Sequence, residues 1–285
     1  MLLSTVTVSY NSRDTLPECL RSLAADARGL AAETWVVDNA SADGTLARIA
    51  EEFPDVRRIA NQENVGFARG VNQGIAATTG EFVLVMNPDC VIRPGAVPKL
   101  IEYLQTHPGT AVVGPRLEGV DGVLEYSARA FPDPMAFFFN RYSLLTRLFP
   151  NNRYSRRYLM SDWDHASVRE VDWLSGAFLL VRRTAIERVG PMDETFFMFN
   201  EDVDWCRRMK LAGLGVVYVP DAVVVHHVGA SRKKVAAKVI VERHRGMIHY
   251  FNKHHPANLL VQTMAASAIW MRAGAMLVRN ALRTR

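Results

Sequence analysis

The first 116 residues switch between two hydrophobic periods. Apolar runs at 4–10, 34–38, 55–60, 81–87 and 110–117 read as strands, with helical patterns at 15–27, 64–79 and near 95–106 between them. Strands alternating with helical stretches of roughly 10–15 residues build βαβ units and a mostly parallel sheet. The fold class expected is therefore α/β, a Rossmann-like central sheet flanked by helices, with a helical C-terminal extension. This constrains more than architecture, because ligands of such sheets bind beyond the carboxyl ends of the strands. The polar turns that follow three strands, Tyr10-Asn11, Asp38-Asn39-Ala40-Ser41 and Asn87-Pro88-Asp89, should share that edge. A carboxylate directly after the buried-type strand "EFVLVMN" then faces ligand.

Local signals refine this layout. Thr15 and Glu18 have capping-box spacing, with Pro17 in the first turn. "NVGFARGVN" places a helix start at Asn64, where free N–H groups can hold an anion; an ordinary capped helix is the alternative. Residues 136–149 form an aromatic-apolar helical pattern, followed by the basic, aromatic stretch 151–164. The αβ pattern returns at 171–183, a helix over 201–213 stops at Gly213, and "LGVVYVP" and "AVVVHHVG" read as two strands. Residues 239–255 are amphipathic. Residues 257–277 are almost uncharged apart from Arg272 but contain Gln262, Thr263 and Ser267, a poor spanning helix. Trp270 and flanking arginines suit a membrane interface; packing on the domain or on a second subunit, as in a homodimer, is the alternative.

Composition excludes several classes. Of 285 residues, 49% are hydrophobic and 22% charged, which fits a globular core and not a disordered chain. Cys19, Cys90 and Cys206 form no CxxC pair, so neither a disulfide framework nor a zinc site is indicated, and a reduced, cytoplasmic compartment is expected. The N-terminus lacks the basic and apolar regions of a signal peptide. The net charge of +5 is concentrated at 153–157, 232–238 and 279–285. Such clusters suit anionic partners; they lie far apart in sequence and resemble no nucleic-acid module.

Four groups carry candidate chemistry. Asp38 can accept bonds from a base or a ribose, or can close an Asx-turn. Asp89 can ligate a hard divalent cation whose remaining ligands are phosphates and water. Glu201, Asp202 and Asp204 crowd one helical turn, which raises at least one pKa and offers a general base. His226 and His227 end a strand and alternate faces, so at most one reaches a site near Asp89.

In order and spacing, "VTVSYN", "VVDNASADGT", "NVGFARGVNQGI", "VLVMNPDC", "WLSGAFLLVRR" and "MFNEDVDWCRRMKLAGLGVVYVPDAVVVHHVGAS" resemble the family 2 glycosyltransferases of the GT-A fold, over roughly residues 3–235. The chain looks most like their bacterial rhamnosyltransferase branch, which builds cell-wall and surface polysaccharides. The resemblance implies a nucleotide-binding half (1–116), an acceptor-binding half (117–235) and a helical extension (236–285). It implies that Tyr10, Asn11, Asp38, Asn64, Gly66, Asn72 and Asn87 bind the nucleotide sugar. Asp89 matches the second acid of the DXD motif, with Asn87 replacing the first, and with His226 would hold Mg²⁺ or Mn²⁺. Asp202 matches the catalytic base, supported by Glu201 and Asp204. Trp173, Ser175, Gly176, Ala177 and Trp205 would border the acceptor. The reaction implied is inverting transfer from a dTDP- or UDP-sugar, dTDP-rhamnose first, to a saccharide or lipid-linked saccharide at the inner face of the cell membrane. A metal-dependent nucleotidyltransferase is the rival enzyme, although "SYNSRD" replaces its glycine-rich loop. A basic membrane or nucleic-acid adaptor is the rival without catalysis.

Overall fold

A computed structural model of the chain describes residues 2–132, 152–227 and 237–282. Its first half runs β1 (Leu3–Ser9), α1 (Leu16–Asp26), β2 (Ala32–Asp38), α2 (Thr45–Glu52), β3 (Arg57–Ala60), α3 (Phe67–Ala76), β4 (Phe82–Met86), β5 (Cys90–Ile92), α4 (Ala96–Thr106) and β6 (Thr110–Glu118). After short strands β7 (Leu124–Glu125) and β8 (Ala128–Arg129) come α5 (Arg153–Leu159), β9 (Arg169–Glu170), β10 (Trp173–Leu174), β11 (Phe178–Arg182) and α6 (Arg183–Val189). The chain continues through α7 (Glu201–Leu211), β12 (Gly215–His226), α8 (Ala237–His254) and α9 (Leu259–Leu282). The expected helix at 136–149, most of the basic stretch 232–238 and residues 283–285 lie outside the described residues.

The sheet order is β3-β2-β1-β4-β11-β6-β12-β5. The four strands β3 to β4 are parallel, as expected. All five residues of β4 have no exposed surface, which requires cover on both faces. Alternation sends Val83 and Val85 toward α3, α7 and α8, and Phe82, Leu84 and Met86 toward α1 and α4. Met247, Tyr250 and Phe251 of α8 belong to the first of these cores.

Two departures position the site. β11 runs antiparallel between β4 and β6, so its first residue, Phe178, lies opposite Met86, the last residue of β4. Residues 176–177 therefore arrive at the carboxyl edge. The two strands expected from 214 onward are one twelve-residue strand, β12, whose register against β6 shifts between Val219 and Val223. Pro220 supplies no N–H to the ladder, and a bulge bends the strand. Beyond the bend His226 pairs with Cys90 of β5.

Other local signals resolved differently. Thr15 is helical in backbone and makes no capping bond, so the capping box does not form. Helix α3 begins at Phe67 and not at Asn64, because Gly66 at φ 91° holds the preceding turn open. The helix α2 and strand β5 are additions to the expected layout; both are short, and β5 is defined only by its pairing with β12.

Candidate active site

Topology gathers the chemistry at one edge. The carboxyl ends of β1, β2, β4 and β12 and the entry to β11 all lie there. Ala177 joins them: its carbonyl accepts the Asn87 N–H at 2.9 Å, and the Cys90 thiol lies 3.4 Å from the same oxygen. The adjacent Gly176 N–H donates to Asp202 Oδ2 at 2.8 Å. Thus two consecutive residues link the 87–90 turn to the carboxylate at the head of α7.

On one side of this link sit Asp89 and His226. His226 Nε2 is 3.3 Å from Asp89 Oδ1, and its Nδ1 is 3.0 Å from Glu125 Oε2. The His227 N–H fixes the turn by donating to the Asp89 carbonyl at 2.8 Å. Burial disfavours the imidazolium, but the Asp89 and Glu125 carboxylates on its two nitrogens outweigh burial and raise the pKa to about 9. Asp89 Oδ1 is itself buried without an aligned hydrogen-bond donor, the signature of an oxygen shaped for another charge. Asp89, Cys90 and His226 present ligand atoms within 4.8 Å of one another. Burial keeps the Cys90 thiol protonated, with its pKa far above the ordinary value, so the oxygen and imidazole donors are the ones that fit a hard or borderline divalent cation. Glu125 was not anticipated from sequence. A carboxylate on the far nitrogen of a ligating histidine fixes its tautomer and direction. Glu125→Gln is expected to weaken Mn²⁺ binding about 10–100-fold by titration calorimetry; unchanged affinity would remove Glu125 from the site.

On the other side the three acids of α7 have separate fates. Asp202 is partly exposed; its Oδ1 accepts the Val203 N–H at 2.8 Å and its Oδ2 the Gly176 N–H. Burial raises its pKa, partly offset by these N–H groups and by the Arg129 charge. Glu201 is buried with Oε2 unpartnered, and burial followed by the Asp202 charge pushes its pKa well up, which favours its neutral form. Asp204 is fully buried and bonded to Arg208, Lys253 and His254 at 2.9, 2.8 and 2.7 Å. It ties α8 to α7 and does not face substrate.

Burial works against the Asp204 anion, yet bonds from Lys253, His254 and Arg208 hold its pKa below the usual value. Burial also lowers the pKa of His254, so Arg208 and Lys253 are the charges that matter at neutral pH. A depressed folded pKa gives stability that is present above the unfolded value of about 3.9 and lost as pH falls below it. The share of the unfolding temperature that Asp204 supplies, read as the difference from Asp204→Ala, is expected to be constant from neutral pH to about 5 and to be lost below about 4. Asp204→Ala should cost about 3–5 kcal/mol, because it removes the buried carboxylate on which Arg208, Lys253 and His254 converge; a loss below about 1 kcal/mol by denaturant titration contradicts this reading.

The turn that presents Asp202 is constrained from two sides. Phe199 and Asn200 are both left-handed, at φ 67° and 73°, a costly pair for non-glycine residues. A Cβ on Gly246 of α8 would lie 3.1 Å from the Phe199 carbonyl, and one on Gly66 would lie 2.5 Å from the Phe197 carbonyl. The Phe197 carbonyl also accepts the Phe67 N–H at 2.6 Å. Gly66 therefore admits protein backbone at this point, and Asn64 Oδ1 takes the Gly66 N–H. At this helix start the Gly66 and Phe67 N–H groups thus already have acceptors within the protein.

The remaining expected site residues divide. Tyr10 is 53% exposed at the edge. Asn11 is left-handed and clasps the neighbouring turn through Ser41 Oγ and the Ala42 N–H. Asp38 is 1% exposed and accepts from Ser9 Oγ, Ser41 Oγ and the Ser41 N–H, the Asx-turn alternative. Asn72 grips Met192 and Glu194, away from the edge. Trp205 is fully buried and donates to the Gly190 carbonyl, so it packs the core and borders no acceptor. Trp173 is also buried, with Nε1 on the Ala130 carbonyl, but it stacks under Arg129 at 5.0 Å. Ser175, Gly176 and Ala177 line the link described above. A cavity of about 580 Å³ opens at the opposite, amino end of β6 and β12, against Tyr103, His107, Arg169 and Lys210. It is remote from Asp89 and His226 and plays no part in this chemistry.

A parallel sheet with an acid after β4, a returning antiparallel β11 and a carboxylate at the head of α7 defines a GT-A-type glycosyltransferase. Residues 4–188 match Glycosyl transferase family 2, and the chain belongs to that family. An N-acetylglucosaminyl-diphospho-decaprenol L-rhamnosyltransferase of Mycobacterium tuberculosis is 31% identical over 100% of this chain and 93% of its own length. The Escherichia coli rhamnosyltransferase WbbL is 25% identical over 55% of this chain and 56% of its own length. A mannosyltransferase from Pyrobaculum calidifontis, solved with GDP-Man and Mn²⁺, superposes with a TM-score of 0.60 at 17% identity, covering 98% of this chain and 79% of that one. The last likeness establishes the fold.

Proposed function

We propose that this chain transfers L-rhamnose from dTDP-rhamnose to a hydroxyl of a polyprenyl-diphosphate-linked saccharide, with inversion at the anomeric carbon. The observation that carries the reading is the Gly176–Ala177 link, which places Asp202 beside the Asp89–His226 pair at one strand edge. The choice of rhamnose and of a lipid-linked acceptor is supported by the activity named for the Mycobacterium tuberculosis relative.

Asp89 and His226 would hold a divalent cation, which when bound neutralises charge on the departing diphosphate. Asp202 takes the proton of the acceptor hydroxyl as that oxygen attacks. Each Asp202 oxygen accepts one N–H, so a lone pair remains for the incoming O–H. Burial of Glu201 favours its neutral form, which relieves the Asp202 anion of a second negative charge. Arg129, whose charge favours the Asp202 anion, is held over the Trp173 and Tyr158 rings. Tyr10 and the Asn11 turn are the exposed groups placed to meet the nucleotide.

Such an acceptor puts the enzyme in peripheral contact with the inner face of the cell membrane. No helix among the described residues is long and apolar enough to cross a membrane. A thermal-shift series of sugar nucleotides with Mn²⁺ tests the donor: dTDP-rhamnose should stabilise more than UDP- or GDP-hexoses, and a larger shift with another donor would replace it.

A further inference from the structure

Helix α9 leaves an apolar stripe facing outward. Ile269 and Ala273 are buried against α8, and Gln262, Arg272 and Asn280 share that partly buried side. The opposite side carries Leu260, Met264, Met271, Val278 and Leu282 at 61–70% exposure, with Trp270 alongside at 41%. The five recur at intervals of four and seven, so they form one stripe along the 24-residue helix. In a chain that keeps to water this outward stripe would be polar.

Charge identifies what covers the stripe. No acidic residue follows Glu242, so α9 has no carboxylate; the exposed Arg279 lies near the end of the helix, and Arg283 and Arg285 follow it in sequence. A second copy of the same stripe would set these cations against each other. An anionic surface would meet them with opposite charge while taking up the apolar side chains. We propose that the outward face of α9 docks in the interface of an anionic phospholipid bilayer, lying along it and not across it. This deepens the lipid-linked-acceptor reading and rests on it for its purpose, although the geometry stands independently. Helix α8 connects the two regions: its Gly246 abuts the Phe199–Asn200 turn before Asp202, and α9 packs on its outer side.

The test is co-sedimentation of the full chain with vesicles, without sugar nucleotide, so that its outcome is independent of transfer. Binding to phosphatidylcholine mixed with phosphatidylglycerol is expected at least about tenfold tighter than to phosphatidylcholine alone, and to weaken with salt. The exposed pair Met264→Glu/Met271→Glu should weaken it about tenfold or more at an unchanged unfolding temperature. If glutamate lowers that temperature, Met264→Ser/Met271→Ser serves in its place. Equal binding by the variant, equal binding to both vesicles, or no binding would overturn the proposal. So would a concentration-dependent dimer, seen by sedimentation velocity and abolished by the same pair, in a protein that ignores vesicles.

Discussion

Asp202→Asn is expected to lower kcat for sugar transfer by about 10²–10⁴-fold, the usual contribution of a positioned base, with sugar-nucleotide affinity little changed. The amide keeps the shape of the carboxylate. It can still accept the Gly176 N–H through its oxygen, so the link to the 87–90 turn survives. What it loses is the ability to take a proton, together with the acceptor for the Val203 N–H, since only one of its two head atoms is an oxygen. The same substitution removes the Coulomb effect of Asp202 on Glu201, which offsets the lost Val203 bond, so the protein should stay folded. The measurement is single-turnover transfer at saturating donor beside calorimetric donor binding. A variant that turns over normally once donor is saturating would take Asp202 out of the role of base.

Asp89→Ala is expected to have the second large effect, through a different quantity. Losing the cation that stabilises the leaving diphosphate removes several kcal/mol, about 10³-fold in kcat/KM. Unlike the change at Asp202, it should abolish Mn²⁺ binding and weaken the donor. Asp89 is partly exposed, and the bond that anchors its turn is made by its backbone carbonyl to His227, so the fold should persist although His226 loses one of its two carboxylates. Retained Mn²⁺ affinity in a folded Asp89→Ala protein would place the metal elsewhere.

Much of this was legible in the residues. The periods of β1, β2, β3 and β4 announced a parallel sheet, and the parallel sheet announced its ligand edge. What could not be read was anything decided by long-range pairing. Strand β5 has three residues and exists because β12 passes beside it. The bend of β12 at Pro220, read as an interruption between two strands, is what carries His226 to Asp89. Glu125 sits on a two-residue strand with no local signal, yet it is 101 residues from the imidazole that it holds. Motif spacing also overreached. Asn72 and Trp205 occur within family-like stretches, but their polar atoms bond the protein's own backbone. Gly66 suggested close approach of a ligand; the approach is real, and the visitor is Phe197. For 257–277, composition showed a helix short of charge. Only the fold shows which side faces outward.

The central claim is that the Asp89–His226 pair and Asp202 act on one sugar nucleotide at one edge. Its most direct test is the product formed from dTDP-rhamnose and an N-acetylglucosaminyl-diphospho-polyprenol in the presence of Mn²⁺, with the new linkage read by NMR. The account predicts a rhamnosylated acceptor of inverted anomeric configuration, formed by the unaltered enzyme and lost with Asp202→Asn. A retained configuration, or a nucleotidyl group found on the acceptor in place of the sugar, would contradict it.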